Sequence, residues 1–314
     1  DNDTIQIGGS VRWNHRDGDV MSRRAVENFV SRSGAFTNSV NQNFSRSDSG
    51  NAQLRLEWKP DTMTNIMFRP SMSISSNDGL TSSSSAEFNE DPFRYFADPL
   101  AVASIAKMAE DSIIVNSSLD KGISYSNSKR FGGSLQFNRK LNSLGRNITF
   151  RVEGNYSKGD GNNLSINDVH LYKIRMVYGE DSTYQTNRYS ITPTKNYSYS
   201  LQTIYSEPLW RGTFLQLSYR FNYSTNKSDR STYDFSNLGA KYFDRVTADY
   251  RQWDNYLERL SRPYTEYLSN DLSRYSEYKN YTHNVEAQLR VIREKYNFNV
   301  GLLFQPQRSK FIQD

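Results

Sequence analysis

Hydrophobic residues recur at every second position in a series of short segments along this chain. Residues 4–15 read TIQIGGSVRWNH, in which Ile5, Ile7, Gly9, Val11 and Trp13 share one parity while Gln6, Ser10, Arg12 and Asn14 share the other. Such alternation puts one apolar and one polar face on a β-strand. Residues 52–60 repeat it, with Ala52, Leu54, Leu56 and Trp58 set against Gln53, Arg55 and Glu57. Residues 65–75 follow, with Ile66, Phe68, Met72 and Ile74 set against Arg69, Ser71 and Ser73; Pro70, which cannot donate to a ladder, is expected to weaken this strand or mark a bulge. The same signature returns at 132–140, 147–157, 197–206, 214–224, 284–292 and 298–304.

The spacing of these segments is as informative as their content. Short connections near 59–64, 141–146, 207–212 and 293–296 alternate with long segments at about 15–50, 76–129, 158–195 and 225–282. Tight turns on one side and long loops on the other are the signature of an outer-membrane barrel. The pattern therefore predicts an all-β, antiparallel up-and-down transmembrane β-barrel, with residues 1–314 as part of one barrel domain. Eight paired strands plus the first segment make nine. Single-chain bacterial barrels have even numbers of strands, so an odd arc predicts a piece of a larger barrel. Strands hidden within 19–30 or 184–191 would change that count. Two long segments carry helical signals. Residues 98–111 offer Asp98 as N-cap and Pro99 as first helical residue, and Val246, Tyr250, Trp253, Leu257 and Leu260 recur at helical spacing.

Composition narrows the classes further. The 22 tyrosines and 17 phenylalanines argue against simple disorder. A mean hydropathy of −0.80 with no long apolar run excludes a transmembrane helix, yet it is what alternating barrel strands average to. The absence of cysteine removes disulfides and thiolate chemistry. A net charge of +5, from 39 basic and 34 acidic residues spread along the chain, is too mild and too dispersed for a nucleic-acid partner.

Residues 53–73, 135–157, 205–235 and the EYLSN segment at 266–270 resemble barrel segments of TonB-dependent-receptor-like outer-membrane proteins of the Bacteroidetes type. The turn containing Tyr205, Glu207, Pro208 and Leu209 and the basic residues Arg139, Lys140 and Arg146 are the most specific of these. The resemblance implies a barrel of about 22 strands around an N-terminal plug, lodged in the outer membrane of a Gram-negative cell. It also implies a TonB-type energising protein as partner and uptake of a nutrient ligand. No plug and no TonB-contact segment are recognisable in 1–314, and both are expected upstream of Asp1. Passive or structural barrels, and a soluble β-rich adhesin or binding module, are the competing classes.

No catalytic constellation stands out, and neither an enzyme activity nor a cofactor is expected. His15, His170 and His283 lack a second ligand at metal spacing, and 17–19 and 159–163 lack the complete calcium loop. The polar face is the better candidate site. Arg12, Arg55, Glu57, Arg69, Arg151, Glu153, Arg220, Glu286 and Arg290 share the parity opposite the apolar band and are expected to line the lumen. There they pair with neighbours or a plug, or, as the sharper reading, form a basic path for an anionic ligand. Tyr242, Tyr250, Trp253, Tyr256, Tyr264 and Tyr267, on the last long segment, are candidate extracellular contacts; half or more of that segment's aromatics are expected to pack the loop instead.

Overall fold

A computed structural model of the chain describes residues 4–30, 33–175, 181–239 and 249–314. Its strands are β1 (Ile5–Glu27), β2 (Phe36–Asp61), β3 (Thr64–Phe88), β4 (Ile114–Lys140), β5 (Asn147–Arg175), β6 (Asp181–Gln185), β7 (Arg188–Trp210), β8 (Thr213–Asp234), β9 (Arg274–Ile292), β10 (Asn297–Phe304) and β11 (Gln307–Gln313). All eleven join one antiparallel up-and-down sheet in the order β1-β2-β3-β4-β5-β7-β8-β9-β10. β6 pairs with the far end of β5, which β7 follows from Arg188 onward. β10 and β11 pair successively with β9, interrupted at Gln305 and Pro306, so the sheet is nine strands wide. Among the described residues β1 and β10/β11 do not meet, and the sheet is open.

The strands are far longer than the alternation indicates. The segments at 15–50, 76–129, 158–195 and 225–282 are not loops throughout. Residues 15–27 and 36–50 continue β1 and β2, residues 76–88 and 114–129 continue β3 and β4, and residues 184–191 fall on β6 and β7. These extensions are rich in small polar residues on both faces, as at 75–79 and 81–85, and their apolar residues are too widely spaced to give a period-2 hydrophobic signal. Backbone hydrogen bonds hold their register instead, and Gln42↔Ser82 and Ser82↔Lys121 continue the ladders seen lower down.

The short connections are tight because specific residues close them. Asp61 Oδ1 accepts from the Met63 amide at 2.7 Å across the turn between β2 and β3. Asn142 Oδ1 accepts from the amides of Leu144 and Arg146 between β4 and β5. Between β7 and β8, Gly212 adopts φ 65°, and a Cβ there would lie 2.3 Å from the Ile292 carbonyl. Pro70 sits within a continuous β3 opposite Gly133, where a Cβ would press on Pro70 at 3.3 Å. The glycine makes room for the ring.

Helical structure is confined to the connections. Helix α1 (Val102–Glu110) starts three residues after the expected Pro99, because Asp98 closes a turn by accepting from the Leu100 amide. Of the second helical pattern only α2 (Asp254–Leu257) forms; Arg251, at φ 59°, breaks the helix before it, and Val246 lies outside the described residues. Buried residues form two clusters. One joins Ala86, Phe88 and Ile114 with Met108 and Ile113; the other joins Ile123, Leu164, Ile166 and Tyr189 with Phe235 and Tyr256. The strand members of both lie in the extensions on the face of the apolar band, Ile114 by way of the register shift that sets it opposite Phe88.

Candidate functional site

Cross-strand register sorts the lower sheet into rows. On the apolar face Phe68, Leu135, Val152, Leu201 and Phe221 stand side by side, as do Ile66, Phe137 and Phe150 nearer the short turns. Most of the band is exposed, Leu201 by 47% and Val300 by 62%, with Leu54, Phe68, Leu135, Phe150, Val152 and Leu217 at 42–47%, while Ile66, Phe137 and Phe221 are half-buried. On the polar face at the same level Arg151, Glu153, Gln202 and Arg220 are part-buried, and Arg55 and Arg69 are exposed. The two faces therefore differ in chemistry, one carrying a band of large apolar side chains and the other charged and amide groups.

Aromatic rings bound the apolar band. Trp58 and Trp210 lie at the short-turn ends of β2 and β7, with Tyr296 in the last short turn. At the other end Tyr156 pairs with Tyr197, and Tyr223 pairs with Tyr199 and Tyr281. Trp13 lies over Gly50 one row above the Tyr156–Tyr197 pair. Rings at both limits of an apolar band match the girdles of membrane barrels.

On the polar face the candidate charges gather into small groups. Arg55 donates to Glu57 at 2.7 Å, and Asn65 and Lys59 also reach that carboxylate, at 2.9 and 3.5 Å. Arg69 shares with Arg55 a shallow concavity of about 590 Å³, lined also by Gly8, Gln53 and Ser71. Arg151 pairs with Glu153, while Arg220 donates to Gln202 at 2.6 Å; Gln202 lies between the two arginines in one row. Arg12 stands apart, opposite Asn51, and Glu286 and Arg290 lie on β9 opposite Ser218 and Phe214. No ion pair of Arg12, Arg69, Glu286 or Arg290 occurs among the described residues. The face thus carries local pairs, with Arg69 beside the Arg55–Glu57 group.

The loop aromatics are mostly spent on packing. Tyr256 is fully buried against Phe235 and offers no surface to a ligand; burial pushes its hydroxyl pKa up. Tyr264 meets Tyr189 and Tyr233 edge-on at 5.5 and 4.9 Å, and Tyr267 meets Phe235 at 5.3 Å. Desolvation in this cluster raises Tyr189 to about 12. Trp253 lies beside Tyr125 and Tyr189, and Tyr250 lies under the Arg46 guanidinium at 4.9 Å. Tyr242 lies outside the described residues.

A latch that sequence reading missed fastens this connection. Arg251 binds Asp78 through two bonds, Nε to Oδ1 at 2.5 Å and Nη2 to Oδ2 at 2.8 Å, and stacks 4.1 Å over Tyr125. Arg46 reaches the same carboxylate at 3.5 Å. The partners are 173 residues apart in sequence, so no local motif announces them. At the opposite rim the Tyr205–Glu207 turn meets the basic turn: Arg146 donates to Glu207 at 2.7 and 2.5 Å, and the Tyr205 hydroxyl donates to the same carboxylate. His15 hydrogen-bonds Asp48 at 2.6 Å and Asp17 at 3.1 Å; His283 hydrogen-bonds the Tyr219 hydroxyl, and His170 stacks on Tyr172.

No family model matches the chain, and no curated protein matches it. Among solved structures, the translocator domain of the autotransporter NalP from Neisseria meningitidis aligns over 100% of this chain and 88% of that one, at 8% identity and a TM-score of 0.10. A likeness of that size carries no argument about fold or function.

Proposed function

We propose that this chain is part of the wall of an outer-membrane β-barrel that imports a nutrient. The observation that supports it is the division of the apolar-parity face. Below Trp13 and Ile74 large apolar side chains stand uncovered, whereas above that level Leu80, Ile123, Leu164 and Tyr189 are packed under the connections. A bilayer is the cover that the lower half lacks. A soluble binding module would leave an exposed apolar area far beyond what monomers tolerate.

The open edges of the sheet call for further strands, which a barrel of about 22 strands would supply. A pore of that size requires a plug, and the Arg55–Arg69 and Arg151–Arg220 neighbourhoods are the wall positions a polar plug or an anionic solute would meet. The likeness of the Tyr205–Leu209 turn and the 139–146 segment to TonB-dependent-receptor-like proteins favours energised import over a passive pore. Extraction tests the membrane reading: the protein is expected to stay with membranes through alkaline carbonate and to need detergent. Ready release in carbonate would refute it. Nutrient-dependent growth that survives loss of the energising partner would leave only a passive barrel.

A further inference from the structure

Register brings together four lysines that lie tens of residues apart in sequence. Lys129 lies opposite Lys158, Lys158 opposite Lys195, and Lys195 opposite Lys227. Trp13, Gly50 and Ile74 continue the row on one side, and Glu277 and Ile312 on the other. All four lysines have the parity of the apolar band. Strands in a sheet lie about 4.8 Å apart, and like charges directly opposite one another destabilise a ladder. Here three such pairs follow in succession.

Internal compensation is slight. Glu277 meets Lys227 at 3.2 Å, but it also takes Lys279 at 3.1 Å. Among the described residues no carboxylate comes within ion-pair distance of Lys129, Lys158 or Lys195. Asp48, Asp160 and Asp229 lie one row higher, away from the band. The Lys195 ammonium leans the other way, 5.8 Å from the Tyr156 ring in the row below.

The row also sits at a defined height. From Ile148 beside the short turn to Lys158 is about 10 residues, the length of a membrane-spanning strand. Immediately below the lysines lie Met72, Phe131, Tyr156 and Tyr197. The ammonium groups therefore stand at headgroup level on the side of the long connections, above an apolar wall.

We propose that Lys129, Lys158, Lys195 and Lys227 bind phosphate-bearing lipid headgroups of that leaflet. Ammonium groups donate charge-assisted hydrogen bonds to phosphate oxygens, and their aliphatic stems lie along the band. Acyl chains of the same lipids cover Phe131, Leu135, Val152 and Leu201. Free phosphate would use only the charged half of this surface, so a lipid is the occupant. The inference rests on the membrane-wall reading.

The test compares the full protein with the Lys129→Gln/Lys158→Gln/Lys195→Gln variant in vesicles of phosphatidylcholine alone or mixed with phosphatidylglycerol. In neutral vesicles the variant is expected to be at least as resistant to denaturant, because like-charge repulsion is relieved. With phosphatidylglycerol the order is expected to reverse, and spin-labelled phosphatidylglycerol should associate with the native protein more than with the variant, by about fivefold per lysine removed. An Arg94→Gln/Lys107→Gln/Arg262→Gln variant, which loses the same charge from exposed sites in the long connections, should keep the preference. Equal behaviour of native protein and variant in both lipids would overturn the lysine row alone. Competition by inorganic phosphate as strong as by the lipid would overturn the lipid as occupant. Failure to insert into either vesicle would overturn the membrane reading with it.

Discussion

Leu201→Arg places a charge where the sheet offers it nothing. Leu201 lies on the apolar face between Val152 and Phe221 and is 47% exposed, with no protein above it. It is three rows below Lys195 on the same strand. With a strand rise of about 3.3 Å and a tilt of about 40°, six residues descend roughly 15 Å from headgroup level, close to the middle of a hydrocarbon core about 30 Å thick. An arginine at that depth costs about 2–4 kcal/mol, a loss of roughly 30- to 1,000-fold in the folding equilibrium. Ser200→Arg, one residue away, lies on the polar face opposite Glu153 and should cost under about 1 kcal/mol. Denaturant titrations of both variants in phosphatidylcholine vesicles measure the difference. Equal costs, or a larger cost for Ser200→Arg, would mean that the two faces are assigned the wrong way round.

Asp78→Asn removes the anchor of Arg251. The Asp78 side chain is 1% exposed but Arg251 is 45% exposed, so screening reduces the loss to about 1–2 kcal/mol. It should appear as faster tryptic cleavage within 249–267 with the strands intact, and an unchanged digestion rate would refute the latch. Gly212→Ala strains a left-handed backbone position against the Ile292 carbonyl and should cost about 1–3 kcal/mol in vesicle titrations, whereas a neutral effect would contradict the turn geometry. The His15 pKa is raised from 6.5, first by its hydrogen bond to Asp48 and then by Asp17. Because the raised value belongs to the folded state, the pair stabilises the β1–β2 ladder below about pH 6.5 and is lost as pH rises through the folded value. Asp48→Asn should move the His15 NMR titration back toward 6.5, and a midpoint at 6.5 in the native protein would contradict the pairing.

The lower halves of the strands were legible because one of their faces is apolar. Leu54, Leu56 and Trp58 announce their side, and the register confirms it. The upper halves escaped because small polar residues and glycine occupy both faces over 75–79 and again over 81–85, with Leu80 alone between them, which leaves a period-2 pattern almost nothing to alternate. Short turns were legible through Asp61, Asn142 and Gly212, whose chemistry is local. The polar-face candidates share one parity in the sequence, but their grouping was not legible, since Gln202 joins Arg151 to Arg220 only through strand pairing. The helical spacing of Tyr250, Trp253 and Leu257 marked a packed segment rather than a long helix, because Arg251 leaves the helical region. Long-range partners announce nothing locally: Asp78 meets Arg251 only through the folding-back of a connection, and the four lysines meet only through strand register.

Spin labels at Val152, Leu201 and Gln202 test the membrane wall most directly. Collision with oxygen, which concentrates in hydrocarbon, is compared with collision with a water-soluble nickel chelate for the protein in phosphatidylcholine vesicles. The membrane-wall reading requires high oxygen and low nickel exposure at positions 152 and 201, and the opposite balance at 202. High nickel exposure at 152 and 201 would contradict it.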